Sequence, residues 1–273
     1  ATVRLMRTLS AIILAAGKGT RMKSDLPKVA HEVAGQSMVR WVVDACAQAG
    51  ATRIVLVVGY QQAVVRKIFE GYRAPGVTLE FVVQEEQLGT GHAVRCAEPL
   101  FQRERAAGAG HDVFVLAGDG PLIRPATLKT LLDRHRSAGA AATLATSVIA
   151  DSTGYGRIVR DKAGKFVGIV EQKNATAEQL KIREVNPSYY CFDVASMFSA
   201  LERVERNPVS GEYYITDVPT LLLAGGKRVE VIDAVPPEDV LSINTLEQLA
   251  EVDAILRGRK SSGAIAGARG GSR

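Results

Sequence analysis

Apolar residues in the first half of the chain fall in short runs that alternate with amphipathic stretches. Residues 9–16 form an apolar run that ends in glycines, and 53–58 is a β-branched run. Neither alternates apolar with polar, so both read as strands buried on two faces. Further strands are predicted over 78–83, 112–117 and 141–148. Helical spacing between them predicts helices over 38–49, 61–72, 91–100 and 125–138. This alternation predicts an α/β fold, Rossmann-like, with a mostly parallel central sheet and helices on both faces. Such sheets bind ligands beyond the carboxyl ends of their strands, which is where Gly17 and Asp119 fall.

After Asp151 the texture changes. Residues 157–160 and 165–172, joined by Asp161-Lys162-Ala163-Gly164, read as an antiparallel hairpin. Another strand is expected over 189–194, with helices over 195–206, 215–224 and 245–256. The pattern predicts a smaller β-rich, substrate-side lobe continuous with the first sheet. Residues 1–257 are read as one domain, and 258–273 as a basic Gly/Ser/Ala-rich tail expected to be disordered.

Composition narrows the function classes. The chain of 273 residues is 47% hydrophobic but only 5% aromatic, so its core must rest on Val, Ile, Leu and Ala. The net charge of +5 belongs to five bases from Arg257 onward; residues 1–256 hold 29 basic and 29 acidic side chains. A neutral body offers no nucleic-acid footprint. Cys46, Cys96 and Cys191 form no CxxC pair, which argues against a disulfide framework or a zinc site. No apolar run approaches the ~20 residues of a membrane span, and the N-terminus lacks the apolar segment of a signal peptide. The expected location is the cytoplasm.

Three motifs carry candidate chemistry. The first runs Leu14-Ala-Ala16-Gly17-Lys18-Gly19-Thr20-Arg21-Met22, with Pro27-Lys28 after it. Met22 stands where both GxxxxGK[ST] and GxGxxG require glycine, so this is neither a standard P-loop nor a dinucleotide fingerprint. It is still a glycine loop after a strand, whose N–H groups can face a phosphate, with Arg21 and Lys28 adding charge. The alternative is a tight turn with two solvated bases. The second motif, Gln84-Glu-Glu-Gln87-Leu-Gly89-Thr90-Gly91-His92, holds a planar amide able to pair with N3–H and O4 of uracil. Its bland reading is a helix start capped by Thr90, and His92 is read as structural. The third, Ala117-Gly118-Asp119, ends a strand in a carboxylate of the kind that ligates Mg²⁺ beside phosphates.

Together these motifs resemble those of the sugar-nucleotide pyrophosphorylases. The closest likeness is to the uridylyltransferase half of the bifunctional N-acetylglucosamine-1-phosphate uridylyltransferase/glucosamine-1-phosphate acetyltransferase family. The likeness runs from about residue 9 to about 256. It includes Gly154-Tyr-Gly156-Arg-Ile158, Ile169-Val-Glu171, Glu184-Val-Asn186, Gly211-Glu-Tyr-Tyr-Ile-Thr-Asp217 and Ile243-Asn244. The resemblance implies transfer of UMP from UTP to N-acetylglucosamine 1-phosphate, with Mg²⁺ as cofactor. It implies catalytic roles for Arg21 and Lys28. It implies nucleotide contacts from Leu14, Ala16, Gly17, Gly19, Gln84, Gly89 and Thr90, sugar contacts from Gly156, Glu171 and Asn186, and metal ligation by Asp119 and Asn244. Neither nucleic acid nor membrane is an expected partner, and oligomeric state is left open. Ala117 departs from the family, whose members often carry Tyr there, and the hexapeptide repeats of an acetyltransferase domain are absent from these 273 residues. The same chemistry on another sugar 1-phosphate or on dTTP is the first alternative, and an inactive regulatory homologue the second.

Overall fold

The structure, a computed structural model, describes residues 7–108, 110–241 and 243–269. In chain order the first half contains β1 (Thr8–Ala15), β2 (Glu32–Val33), β3 (Gln36–Ser37), α1 (Met38–Gln48), β4 (Arg53–Val58), α2 (Gln62–Ile68), β5 (Thr78–Val83), α3 (Thr90–Ala97), α4 (Gln102–Ala106), β6 (His111–Ala117), α5 (Pro125–Ala138) and β7 (Ala142–Val148). Then come β8 (Gly156–Arg160), β9 (Phe166–Val170), α6 (Ala177–Leu180), β10 (Glu184–Asp193), α7 (Val194–Leu201), α8 (Asp217–Ala224), β11 (Val229–Asp233) and α9 (Leu246–Arg269).

Among the described residues, nine strands form one sheet with the path β11-β7-β10-β6-β1-β4-β5, and β8–β9 joins through β10. The pairs β1–β4, β1–β6, β4–β5 and β7–β11 are parallel, whereas β10 runs antiparallel to β6 and β7. The expected α/β, mostly parallel architecture is therefore present. In β1, Leu9, Ala11, Ile13 and Ala15 enter one core layer, while Ile12 enters the other with Val55 and Val57. Burial on both faces is why these strands read as unbroken apolar runs. The reversal of β10 brings its first residues, Glu184 to Asn186, to the edge where β1, β4, β5 and β6 end.

At the opposite edge lies fully buried Asp112. Arg7 (Nη2 to Oδ1, 2.6 Å) and Arg136 (Nε to Oδ2, 2.7 Å) pair with it, and His135 Nε2 lies 3.4 Å away. Burial alone would raise this carboxyl, but hydrogen bonds from His135, Arg7 and Arg136 outweigh it and hold the group well below the usual carboxylate range.

Several elements differ from expectation. Helix α3 ends at Ala97, and Glu98–Phe101 tighten into a 3-10 turn, since Pro99 has no N–H to continue the α pattern. Strand β10 begins at Glu184 rather than at 189, because a bulge between Val185 and Tyr189 interrupts its pattern. Edge strand β11 was not foreseen, its sequence mixing Glu and Asp with Val and Ile. Helix α9 runs through Arg269, past the boundary expected at 257, and is tied down where Arg259 donates to Leu122 O (3.0 Å) and Lys260 to Ala34 O (2.8 Å). Residues 270–273 lie outside the described residues. No helix among the described residues is long and apolar enough to cross a membrane.

Candidate functional site

Two adjoining cavities open at the carboxyl edge of the sheet, of about 430 and 280 Å³. Arg21, Lys28 and Asn244 line both. The smaller is bounded by Lys18, Gly19, Thr20 and Gln87, and the larger reaches to Asp119, Gly156, Glu171 and Asn186. The glycine loop and the predicted sugar residues thus meet across one pair of bases.

The loop after β1 is shaped by Gly19, at φ +69°. A Cβ there would overlap the Lys28 stem, so glycine lets the loop close over that lysine. Lys28 Nζ then pairs with Asp119 Oδ2 and donates to Asn244 Oδ1 (2.8 Å). Residues 28, 119 and 244, distant in the chain, converge because β1 and β6 are neighbours and the segment before α9 crosses their ends.

That convergence tests whether the site suits a divalent metal. One ammonium reaches a charged and a neutral oxygen at once, so the two oxygens face a single cation-sized position. Among the described residues, no group of three or more His, Cys, Asp or Glu could hold a metal ion. Mg²⁺ does not need one beside phosphates, since it retains waters and takes substrate oxygens; the pair fits. Helix α9 has a cap at its start. Thr245 supplies that cap, accepting from Gln248 N (3.3 Å), while Gln248 Oε1 accepts from Asn244 N (2.7 Å) and Thr245 N (3.2 Å).

Around the glycine loop, Leu14 lies near the end of β1 and Ala16 follows it, Gly17 is exposed, and Gln84 is buried at 4% exposure. The Gln84 amide nitrogen donates to Gly89 O (3.1 Å) and lies 3.1 Å from His92 Nδ1. Thr90 opens α3 without capping it; its Oγ1 accepts from Ile215 N (3.1 Å). Together with Tyr213 N to Leu88 O (2.8 Å) and Gly91 N to Tyr213 O (2.7 Å), this locks the Gly-Thr-Gly turn onto the Gly-Glu-Tyr-Tyr segment. The two motifs sit over a hundred positions apart and form one interlock.

In the larger cavity, Gly156 ends up opposite Asn186 where β8 pairs with β10. Asn186 donates to Tyr190 Oη (2.5 Å) and accepts from Ser188 N (3.2 Å), which holds the bulge. Glu171 follows β9. Burial pushes its carboxyl up, and a hydrogen bond from Thr216 Oγ1 (3.0 Å) partly offsets this. Pattern reading missed Tyr155, Tyr189 and Asp239 on the cavity wall. Tyr155 donates to Val240 O (3.0 Å), joining the hairpin lobe to the segment that carries Asn244. Its place inside Gly154-Tyr-Gly156 was the one available signal. Ala117 also lines the cavity, leaving space that a larger side chain would fill.

The model of the MobA-like NTP transferase domain matches residues 11–211. The chain is 45% identical over 254 residues to the bifunctional protein GlmU of Geobacter metallireducens, covering 93% of this chain and 52% of that protein. It is 42% identical over 258 residues to the bifunctional protein GlmU of Brevibacillus brevis, covering 94% and 54%. The chain therefore spans about half the length of these curated relatives. The fold matches the crystal structure of a UDP-glucose pyrophosphorylase complexed with UDP-glucose, with TM-score 0.71 and 16% identity, covering 92% of this chain and 99% of that one. The apo form of a UDP-glucose pyrophosphorylase aligns with TM-score 0.73 at 16% identity.

Proposed function

The chain belongs to the MobA-like NTP transferase family, and on that premise we propose that it transfers UMP from UTP to N-acetylglucosamine 1-phosphate and releases pyrophosphate. The observation that carries this reading is the convergence of Arg21, Lys28, Asp119 and Asn244 between a glycine-loop cavity and a cavity bounded by Gly156, Glu171 and Asn186.

In this reading a phosphate oxygen of the sugar phosphate attacks the α-phosphorus of UTP in line. The bond from that phosphorus to the bridging oxygen breaks, and pyrophosphate leaves with the electron pair. The attacking monoester, with a second pKa of about 6, is already largely dianionic at neutral pH. No general base is required, and no Ser/His/Asp triad is needed. The work left to the protein is positioning and charge stabilisation. Arg21 and Lys28 border both cavities and so can draw the triphosphate and the sugar phosphate to one place. Asp119 and Asn244 would hold Mg²⁺, which when bound supplies positive charge to the phosphate oxygens. Glu171 and Asn186 would take polar groups of the sugar, and Gln84 with Gly89 the edge of the uracil. This chemistry belongs to the cytoplasm, where its nucleotide substrate is found.

The test is pyrophosphate release by the purified chain across UTP, dTTP and CTP with N-acetylglucosamine, glucosamine and glucose 1-phosphates. Turnover highest with UTP and N-acetylglucosamine 1-phosphate supports the assignment. A clear preference for glucose 1-phosphate or dTTP replaces it with the alternative substrate, and no turnover with any pair favours an inactive homologue.

A further inference from the structure

Asp239 lines the larger cavity, yet its side chain is only 1% exposed. Two guanidinium groups hold it. Arg124 places Nε 2.5 Å from Oδ2 and donates from Nη2 to Oδ1 (3.0 Å). Arg259 of α9 donates from Nη2 to the same Oδ1, and from Nη1 to Leu122 O (3.0 Å). A carboxylate on the wall of a site for phosphates would repel its ligands unless neutralised. Asp239 also begins the stretch that ends at Asn244. Its neighbour Val240 accepts from Tyr155, and Ile243 packs with Val252 and Leu256 of α9 in a small core that also contains Met22. Met22 follows Arg21, and Ile243 precedes Asn244. The helix thus backs both the base and the amide that border the two cavities.

We propose that α9 is a working part of the site: Arg259 is a positioning residue that sets the Asp239–Asn244 segment and neutralises Asp239 beside the sugar phosphate. The sugar-phosphate part rests on the function proposed above; the positioning of Asn244 does not.

The experiment compares the full chain with its Arg259→Gln, Lys260→Ala and Asp239→Asn/Arg259→Gln variants. Binding of N-acetylglucosamine 1-phosphate is read by calorimetry, Mn²⁺ binding in the presence of UTP by electron paramagnetic resonance, and folding by thermal melts. Outer-shell partners of this kind change affinity by about 10–100-fold. Arg259→Gln should weaken sugar-phosphate binding about tenfold and raise its KM with kcat changed less. Mn²⁺ binding should weaken in the same variant. Removing the charge at Asp239 as well should recover most of the sugar-phosphate affinity, because Arg124 remains and the cluster regains its net positive charge. Lys260→Ala, on the same helix, should leave both affinities within twofold. The proposal is overturned if Arg259→Gln only lowers the melting temperature, or if Lys260→Ala has the same effect as Arg259→Gln. If the unaltered chain fails to bind the sugar phosphate, the functional reading falls; the Mn²⁺ comparison still decides whether Arg259 positions Asn244.

Discussion

Replacing Gly89 with alanine tests the interlock between the two distant motifs. Gly89 has φ +94° and ψ 179°, a region essentially reserved for glycine, where an L side chain costs about 1–3 kcal/mol. An added Cβ would lie 2.7 Å from Tyr213 O, 2.8 Å from Glu212 Cβ and 3.0 Å from Tyr213 N. Two of those atoms are backbone and cannot rotate away, so the segment must shift, at a further cost of about 1–3 kcal/mol for overpacking. The shift weakens the Leu88–Tyr213 and Gly91–Tyr213 hydrogen bonds, each contributing about 1 kcal/mol. With both bonds lost the total is about 4–8 kcal/mol. Gly71→Ala is a positive-φ control without the contacts: its φ is +70° and nothing lies within 4 Å of the added Cβ. That control should cost about 1 kcal/mol, the strain alone. Urea denaturation of both variants gives the two values, and UTP titration of the folded fraction shows whether nucleotide binding weakens only in Gly89→Ala. Equal destabilisation by the two changes would refute the interlock and reduce Gly89 to a positive-φ residue with no packing role.

Four further outcomes are expected. N-acetylglucosamine 1-phosphate should be preferred over glucosamine 1-phosphate by at least about tenfold in kcat/KM, since each buried polar group left unpaired costs about 1–3 kcal/mol; equal turnover of both would remove the sugar assignment. Asp119→Ala should nearly abolish turnover and Asn244→Ala should raise the magnesium requirement, as a metal titration of initial rates will show; unchanged magnesium dependence in Asn244→Ala would restrict the metal to Asp119 and phosphate. Deleting 261–273 should leave turnover unchanged, whereas deleting from 258 removes Arg259 and should depress it; identical rates for the two truncations would contradict the anchoring seen at Asp239. Because the folded Asp112 carboxyl sits below its unfolded value of about 3.9, its contribution is present above that pH and lost as pH falls below it. Asp112→Asn should therefore cost about 3 kcal/mol near neutral pH, a loss that shrinks in acid, as melts across pH will read.

The amino-acid order alone determined the α/β class, since two-face burial leaves unbroken apolar runs and helix faces leave their period. It determined the glycine loop beside two bases as well, because the requirement for glycine at a close approach is local. It also pointed to Asp119 and Asn244 together, although only through resemblance, their separation being invisible to any local pattern. Only the tertiary structure decided the rest. That Thr90 braces Ile215 rather than capping a helix depends on which segment packs against it. That β10 delivers Asn186 to the site depends on one reversed strand, whose direction no short pattern encodes. The basic end of the chain was the hardest case. Composition reads Arg259 as one more solvated charge, and nothing in residues 257–261 signals otherwise. Its meaning comes from buried Asp239 waiting across the fold, because a charge acquires a role from what it faces, and facing is a property of the folded chain.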